Sequence, residues 1–154
     1  MERSFVMLKP GVINRRIVGE VISRLEKKGL KLIGMKMMKI TADLADRHYA
    51  EHKDKSFYKD LQTYITSGPV VAMVFEAEDC VALVRKLVGA TKVTEAQPGT
   101  IRGDYALHTN LNIIHASDSV ENAQKEIYDI YGRRVFDINS PGIYIINGKK
   151  ALVK

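Results

Sequence analysis

Residues 4 to 11 read SFVMLKPG, a short apolar run followed by Lys9, Pro10 and Gly11. The run predicts a strand, and Lys-Pro-Gly predicts a turn, because proline presets φ and glycine accepts φ of either sign. The segment after this strand decides the fold class. A doubly wound parallel sheet normally carries a glycine-rich phosphate loop at this point, and neither GxGxxG nor GxxxxGK[ST] is present. The remaining strands therefore have to be joined in another way.

Working outward, Ile17, Val18, Val21, Ile22 and Leu25 recur at helical spacing, and Gly29 stands where that helix stops. Residues 30–40 predict a strand with one wet face, marked by its interspersed lysines. Thr41 opens a shorter helix to about Tyr49, residues 57–65 form another, and Ser67-Gly68-Pro69 closes it. Val70 to Phe75 is a buried strand. Residues 79–88 are helical, with Cys80, Leu83, Val84 and Leu87 on one face, and residues 89–105 are loop-rich around the turn Gln97-Pro98-Gly99. Asn112 to His115 is a last strand. Asp118 with Glu121 three residues on resembles a capping box for a helix whose stripe is Ala123, Ile127, Ile130 and Tyr131. Four strands in this order fit a split β-α-β arrangement, an antiparallel sheet with helices on one face.

The chain has 154 residues, 45% of them hydrophobic, which suits one domain over residues 1–154 with a full core. Its longest apolar run, Val70 to Phe75, is far short of a membrane span, and the start Met-Glu-Arg-Ser has no apolar signal core, so a cytoplasmic location is expected. Cys80 is the one cysteine and sits on an apolar stripe, which predicts a buried, inert thiol. The net charge of +6 concentrates at the ends: residues 1–40 carry +7 and residues 133–154 carry +4. That balance favours polyanionic partners such as phosphate-bearing metabolites. Basic and aromatic residues are not interleaved as in an RNA-binding sheet, so nucleic acid is expected to bind only nonspecifically.

Seven segments carry a specific resemblance. FVMLKP, IVGEVISRLEKKGLKLIGMKMM, HYAEHK, TSGPVVAMV, VRKLVGAT, PGTIRGD and NIIHASDS stand in the order and spacing of nucleoside diphosphate kinases, over about residues 3–131 without a gap. The resemblance implies an α+β, ferredoxin-like βαββαβ core with a four-stranded antiparallel sheet and helices packed on it. It also implies ping-pong exchange of a γ-phosphate between ATP or another nucleoside triphosphate and a nucleoside diphosphate, through a phosphohistidine. Family members form homo-oligomers, tetramers or hexamers.

The chemistry fits the residues present. Phosphoryl transfer needs cationic donors, because charge spreads over the transferring oxygens. By resemblance Lys9, Arg85 and Arg102 face the phosphates, and Thr91 and Asn112 add hydrogen bonds. His115 is the implied nucleophile. An ordinary imidazole titrates near ~6.5, so at neutral pH one ring nitrogen has a free lone pair while the other needs a fixed acceptor. Glu126 matches the orienting residue, Ser117 its support, and Tyr49 a neighbour of the histidine. Phe57 is the implied stacking face for the base, with Leu61 beneath and Thr109 opposite. Mg2+ is expected on the phosphates without direct protein ligands, Asp118 helping through water.

Other features stand outside the resemblance. His48 and His52, with Glu51, fit an HxxEH string that could hold zinc on one helix face, although no third ligand suggests itself. The family turn reads Lys-Pro-Asp-Gly where this chain has Lys9-Pro10-Gly11-Val12, and Arg16 stands where glycine is usual. Either the turn shifts by one residue, with Gly11 at positive φ, or the junction is rebuilt. A catalytically weakened, regulatory family member is the alternative these changes raise. The tail, residues 132–154, departs from the family ending and contains an extra strand candidate, Ile143 to Ile146, flanked by Pro141-Gly142 and Gly148.

Overall fold

A computed structural model describes residues 1–131, 142–146 and 149–153. The first strand, β1 (Glu2–Leu8), leads into α1 (Val18–Lys27) and β2 (Lys31–Lys39). Two helices, α2 (Ala42–His48) and α3 (Tyr58–Thr66), precede β3 (Pro69–Ala77) and α4 (Cys80–Val88). A five-residue helix α5 (Ile101–Tyr105), the short β4 (Ile114–Ala116) and α6 (Val120–Tyr131) complete the matched region. The sheet order is β2-β3-β1-β4 with every pairing antiparallel, the split β-α-β topology expected.

Both faces of the sheet are covered, which corrects the one-face expectation. Val6 and Leu8 of β1 pack with Val71, Met73 and Phe75 of β3 against Val21 and Leu25 of α1 and Val84 and Val88 of α4. Phe5 and Met7, pointing the other way, pack with Val70 and Ala72 against Leu44, Ala45, Ile65 and Ile130 from α2, α3 and α6. The central strands thus read as continuous apolar runs because each side has its own helices. The edge strand β2 keeps the wet character its lysines announced, and Met37 stays exposed. Cys80 is fully buried, with its thiol against the Phe75 carbonyl, and burial pushes its pKa up to about 11, as an inert thiol requires.

Two sequence readings shift in detail. The cap of α6 is Ser119, whose hydroxyl accepts from the Asn122 amide at 3.1 Å, while Asp118 accepts from the Asn122 side chain at 2.7 Å. The loop-rich stretch 89–105 contains α5, capped by Thr100 through the Gly103 amide. In the tail, β5 (Gly142–Ile146) contains the expected Ile143–Ile146 strand and pairs with β6 (Lys149–Val153), which the sequence reading did not anticipate. The proposed flanks Pro141 and Gly148 and the Tyr131 side chain lie outside the described residues. β5 comes within 8 Å of β2, Cα to Cα.

The altered turn resolves clearly. Gly11 has φ +90°, and Arg16, where glycine is usual, has φ +58°. Both positions therefore demand left-handed backbone, which a side-chain-bearing residue adopts at a cost of roughly 1 to 2 kcal/mol. A Cβ at Gly11 would meet nothing within 4 Å, so only backbone strain opposes one there. Gly11→Ala should lose about 1 kcal/mol in urea unfolding, and Arg16→Gly should gain a similar amount less the entropy glycine adds to the unfolded chain. Unchanged midpoints in both variants would show that the turn relaxes freely.

Candidate active site

Strand β4 is three residues long, and its preceding residue is strained. Ile113 is β-branched, buried, and has φ +62°. The Ile114 amide donates back to the Asn112 carbonyl at 2.7 Å, a three-residue turn that costs of order 1 to 3 kcal/mol in so restricted a residue. On either side of this turn, Asn112 and Ile114 each hold a cation. Asn112 Oδ1 accepts from Lys9 Nζ at 2.7 Å. The Ile114 carbonyl accepts from Arg102 Nη2 at 2.8 Å, and the Gly89 carbonyl accepts from Arg102 Nη1 at 3.0 Å. His115 comes next on β4, opposite Met7 of β1.

His115 is oriented from α6. Its Nε2 lies 2.7 Å from Glu126 Oε1, and Glu126 Oε2 accepts from the Ser117 hydroxyl at 2.5 Å. Burial raises the Glu126 pKa, but hydrogen bonds from His115 and Ser117 and the neighbouring imidazole outweigh it, so the net shift is downward. The carboxylate is therefore ionised at neutral pH and can only accept. It follows that Nε2 carries a proton, so the neutral form of the ring has its lone pair on Nδ1.

The cations are held under electrostatic tension. Lys9 is 7% exposed, and burial, with the Arg102 charge added, lowers its pKa to about 7. Arg102 is 3% exposed, and burial, then the Arg85 charge, lowers its pKa to about 10. Arg85 Nη1 reaches the Ala116 carbonyl at 3.4 Å. Among the described residues the unpaired buried polar side-chain atoms include Arg102 Nε, the Tyr49 hydroxyl and both ring nitrogens of His48. Tyr49 and His48 pack edge-on to His115, with ring centroids 6.3 and 5.0 Å away. Native interiors rarely leave such atoms unpaired, and two of the residues that carry them, His48 and Tyr49, stand against His115. A cavity of about 110 Å³ adjoins His48, Tyr49, His115, Asp118, Lys125 and Glu126.

The remaining expected residues lie farther out. Phe57 precedes α3 and is 44% exposed, with Leu61 one turn on and half-buried. Thr109 Oγ1 accepts from the Val93 amide at 3.1 Å, and the Thr91 carbonyl accepts from Asn112 Nδ2 at 3.4 Å. Both threonines are exposed.

The family model for nucleoside diphosphate kinase matches residues 2–134. The chain belongs to the nucleoside diphosphate kinase family. A nucleoside diphosphate kinase of Methanothermobacter thermautotrophicus is 58% identical over 127 residues, covering 82% of this chain and 85% of that protein, and one from Staphylococcus epidermidis is 56% identical over the same length. The fold is similar to crystal structures of the Encephalitozoon cuniculi nucleoside diphosphate kinase (TM-score 0.84, 42% identity, 89% of this chain and 97% of that one) and of the Halobacterium salinarum enzyme in complex with CDP (TM-score 0.80, 49% identity, 83% and 86%).

Within this family frame two expectations change. Arg102 sits in helix α5 and not in open loop; its neighbour Gly103 is required, because a Cβ there would come 2.0 Å from the Gln97 carbonyl oxygen. The HxxEH zinc string does not assemble. Helix α2 ends at His48 and residues 50–52 form a separate 3-10 turn, so His52 turns toward Tyr49 and Phe57. His48, singled out in the sequence only as part of that zinc string, packs instead against Tyr49 and His115.

Lys9 gives a stability test. Its folded pKa of about 7 lies below the ordinary value of 10.5, so between those limits the unfolded chain holds a proton that the folded chain has released. Stability therefore rises with pH across about 7 to 10.5, and the cost of burying the ammonium is complete below pH 7. Lys9→Met should stabilise the nucleotide-free protein by about 2 kcal/mol at pH 6.5, with the advantage shrinking toward pH 10. Parallel urea titrations at the two pH values check it; a pH-independent difference would place Lys9 in water.

Proposed function

We propose that this chain transfers the γ-phosphate of a nucleoside triphosphate to a nucleoside diphosphate by carrying it on His115 Nδ1. The observation that supports it best is the Ser117–Glu126–His115 relay, which leaves the Nδ1 lone pair free. In the first half-reaction that pair forms a bond to the γ-phosphorus as the bond to the bridging oxygen breaks, and the diphosphate leaves with the electrons. The ring becomes cationic, and Glu126 offsets its charge. In the second half-reaction a terminal phosphate oxygen of another diphosphate takes the phosphoryl group and restores the neutral ring.

Lys9, Arg85 and Arg102 act as electrostatic donors to the transferring phosphate, with Thr91 and Asn112 beside them. Two carbonyls hold Arg102 and leave Nε–H and one N–H on each terminal nitrogen for the substrate. The Tyr49 hydroxyl offers a donor to the phosphorylated ring. Phe57 and Leu61 form one wall for the base and Thr109 the other; a stacking face reads no hydrogen-bond pattern, so purines and pyrimidines are both accepted. A phosphate's charge should also restore the Lys9 proton. Mg2+ fits the donor set: it prefers oxygen ligands and keeps its waters, so the β- and γ-phosphates with the ionised Asp118 through water would hold it, neutralising phosphate charge. With the Gly11 turn Lys9 is bonded to Asn112, which supports the active reading over a weakened regulatory member.

The chain works as a cytoplasmic homo-oligomer, tetramer or hexamer, of one domain. Among the described residues no helix is long and apolar enough to cross a membrane. The nearness of β5 to the edge strand β2 supports a role for the tail in stability or assembly, so a chain ending at Tyr131 should change in melting temperature or particle mass. Light scattering identical to the parent, with identical melting, would leave the tail without either role.

Incubation with γ-labelled ATP and Mg2+, without acceptor, should leave one phosphate per chain, labile to acid and stable to alkali. Any nucleoside diphosphate should discharge it. His115→Asn should abolish label and turnover, Glu126→Gln should slow labelling, and Arg102→Ala should lower transfer at least about tenfold, the scale of one charge-assisted hydrogen bond. A His115→Asn protein that labels at the parental rate puts the nucleophile elsewhere.

A further inference from the structure

We propose that His48, His115 and Glu126 form a binding site for a zinc-class transition dication, and that the ion switches His115 off by taking its Nε2. One ligand atom from each of the three residues lies within 4.8 Å of the others, and no other group of His, Cys, Asp and Glu side chains gathers this way among the described residues. A tetrahedral ion with bonds of about 2.0 to 2.1 Å separates its ligands by roughly 3.3 Å, so the site closes with movements of up to about 1.5 Å. The ring centroids of His48 and His115 are 5.0 Å apart and their planes 73° apart, so neither ring stacks over the other.

Three observations favour a ligand here. Both ring nitrogens of His48 are buried without a partner, so an ion supplies the bond its surroundings deny it. Glu126 is already positioned: Ser117 holds Oε2, leaving Oε1 to pass from the imidazole to the ion, and such an outer hydrogen bond is what fixes a metal-binding carboxylate. The cavity of about 110 Å³ next to these three side chains gives a route in and room for water at the fourth position. Two neutral imidazoles and one carboxylate are a borderline-soft set, suited to Zn2+, Co2+, Ni2+ or Cu2+ and unsuited to Mg2+.

The switch rests on where the ring proton sits. In the active tautomer Nε2 carries the proton and Nδ1 the lone pair. Coordination uses the Nε2 lone pair, so that proton leaves Nε2 and a neutral ring must hold one on Nδ1. No electrons then remain at Nδ1 to attack phosphorus, whether or not nucleotide binds. The same ion also removes Glu126 from its charge-balancing position. Inhibition therefore rests on the phosphotransfer proposed above, while ion binding does not.

The untagged, metal-free full chain should be titrated with Zn2+ and with Co2+ alone, without nucleotide. One ion per chain is expected, with the visible absorption of four-coordinate cobalt, and the ring nitrogen resonances of His48 and His115 should shift together. His48→Leu and His48→Asn should each weaken binding at least about tenfold, since loss of even an outer partner does so. His108→Ala, an exposed histidine away from the cluster, should bind as the parent does. Zinc-loaded protein should fail to label from Mg-ATP, and a chelator should restore labelling. Binding undiminished in both His48 variants, or resonance shifts at other histidines, overturns the site. Zinc-loaded protein that labels at the parental rate overturns the switch. Absence of label in metal-free parent instead refutes the phosphotransfer reading and leaves the binding result standing.

Discussion

The hydroxyl of Ser117 ties the His115 end of the molecule together. It is fully buried and has one proton, which the 2.5 Å contact directs to Glu126. Its oxygen accepts the Phe5 amide at 3.1 Å, and the Phe5 carbonyl accepts the Ser117 amide at 3.1 Å. One side chain thus extends the β1–β4 pairing past its last residue and anchors α6 to the centre of the sheet. Without it, Glu126 would be a half-buried carboxylate on a helix with nothing to fix its distance from His115. A charge-assisted hydrogen bond of this kind is worth roughly 1.5 to 3 kcal/mol, and it is one of the contacts that hold the Glu126 carboxyl ionised.

Against that fixed point the site gathers positive charge that the protein alone does not neutralise. Lys9 and Arg102 are both nearly buried, the Arg102 charge lowers the tendency of Lys9 to be charged, and their partners are neutral amide and carbonyl oxygens. The folded chain bears this cost through the packed cores on either side of β1 and β3. A polyanion beside these two cations would reverse the sign of the local interaction and favour recharging of Lys9.

The fold was legible where periodicity is unambiguous. The missing glycine-rich loop after SFVMLKPG excluded the parallel sheet, and the stripe from Ile17 to Leu25 and the apolar run Val70 to Phe75 became α1 and β3. The second layer of helices was not legible, because Phe5 and Met7 look the same in sequence whether they face a helix or a neighbouring strand. Helix α5 was hidden by its brevity and by the glycine that its approach to Gln97 requires. Choosing Asp118 over Ser119 as the cap failed because two adjacent cap-forming residues offer the same signal. The site residues were legible only through the motif, since no spacing rule brings Lys9, Arg102, His115 and Glu126 together. His48 was legible only beside His52 on its own segment, because the neighbours it meets in the fold, Phe5, His115 and Glu126, come from β1, β4 and α6, all distant in sequence.

The changed turn at Gly11 lies on the outer side of Lys9, which is held from residues 112 and 113. Its backbone amide donates to the Ile113 carbonyl at 2.8 Å, and its ammonium donates to Asn112, the residue before. The next carbonyl along, that of Ile114, holds Arg102. Three consecutive residues around one strained φ therefore fix two cations from different parts of the chain, and the fourth residue is His115. The segment after Lys9 only has to return the chain to α1, which a left-handed glycine at position 11 and a left-handed arginine at position 16 accomplish at a cost borne outside the site. Substitution is thus tolerated on the outer side of Lys9, whereas a change at Ile113 would move both cations and the histidine at once.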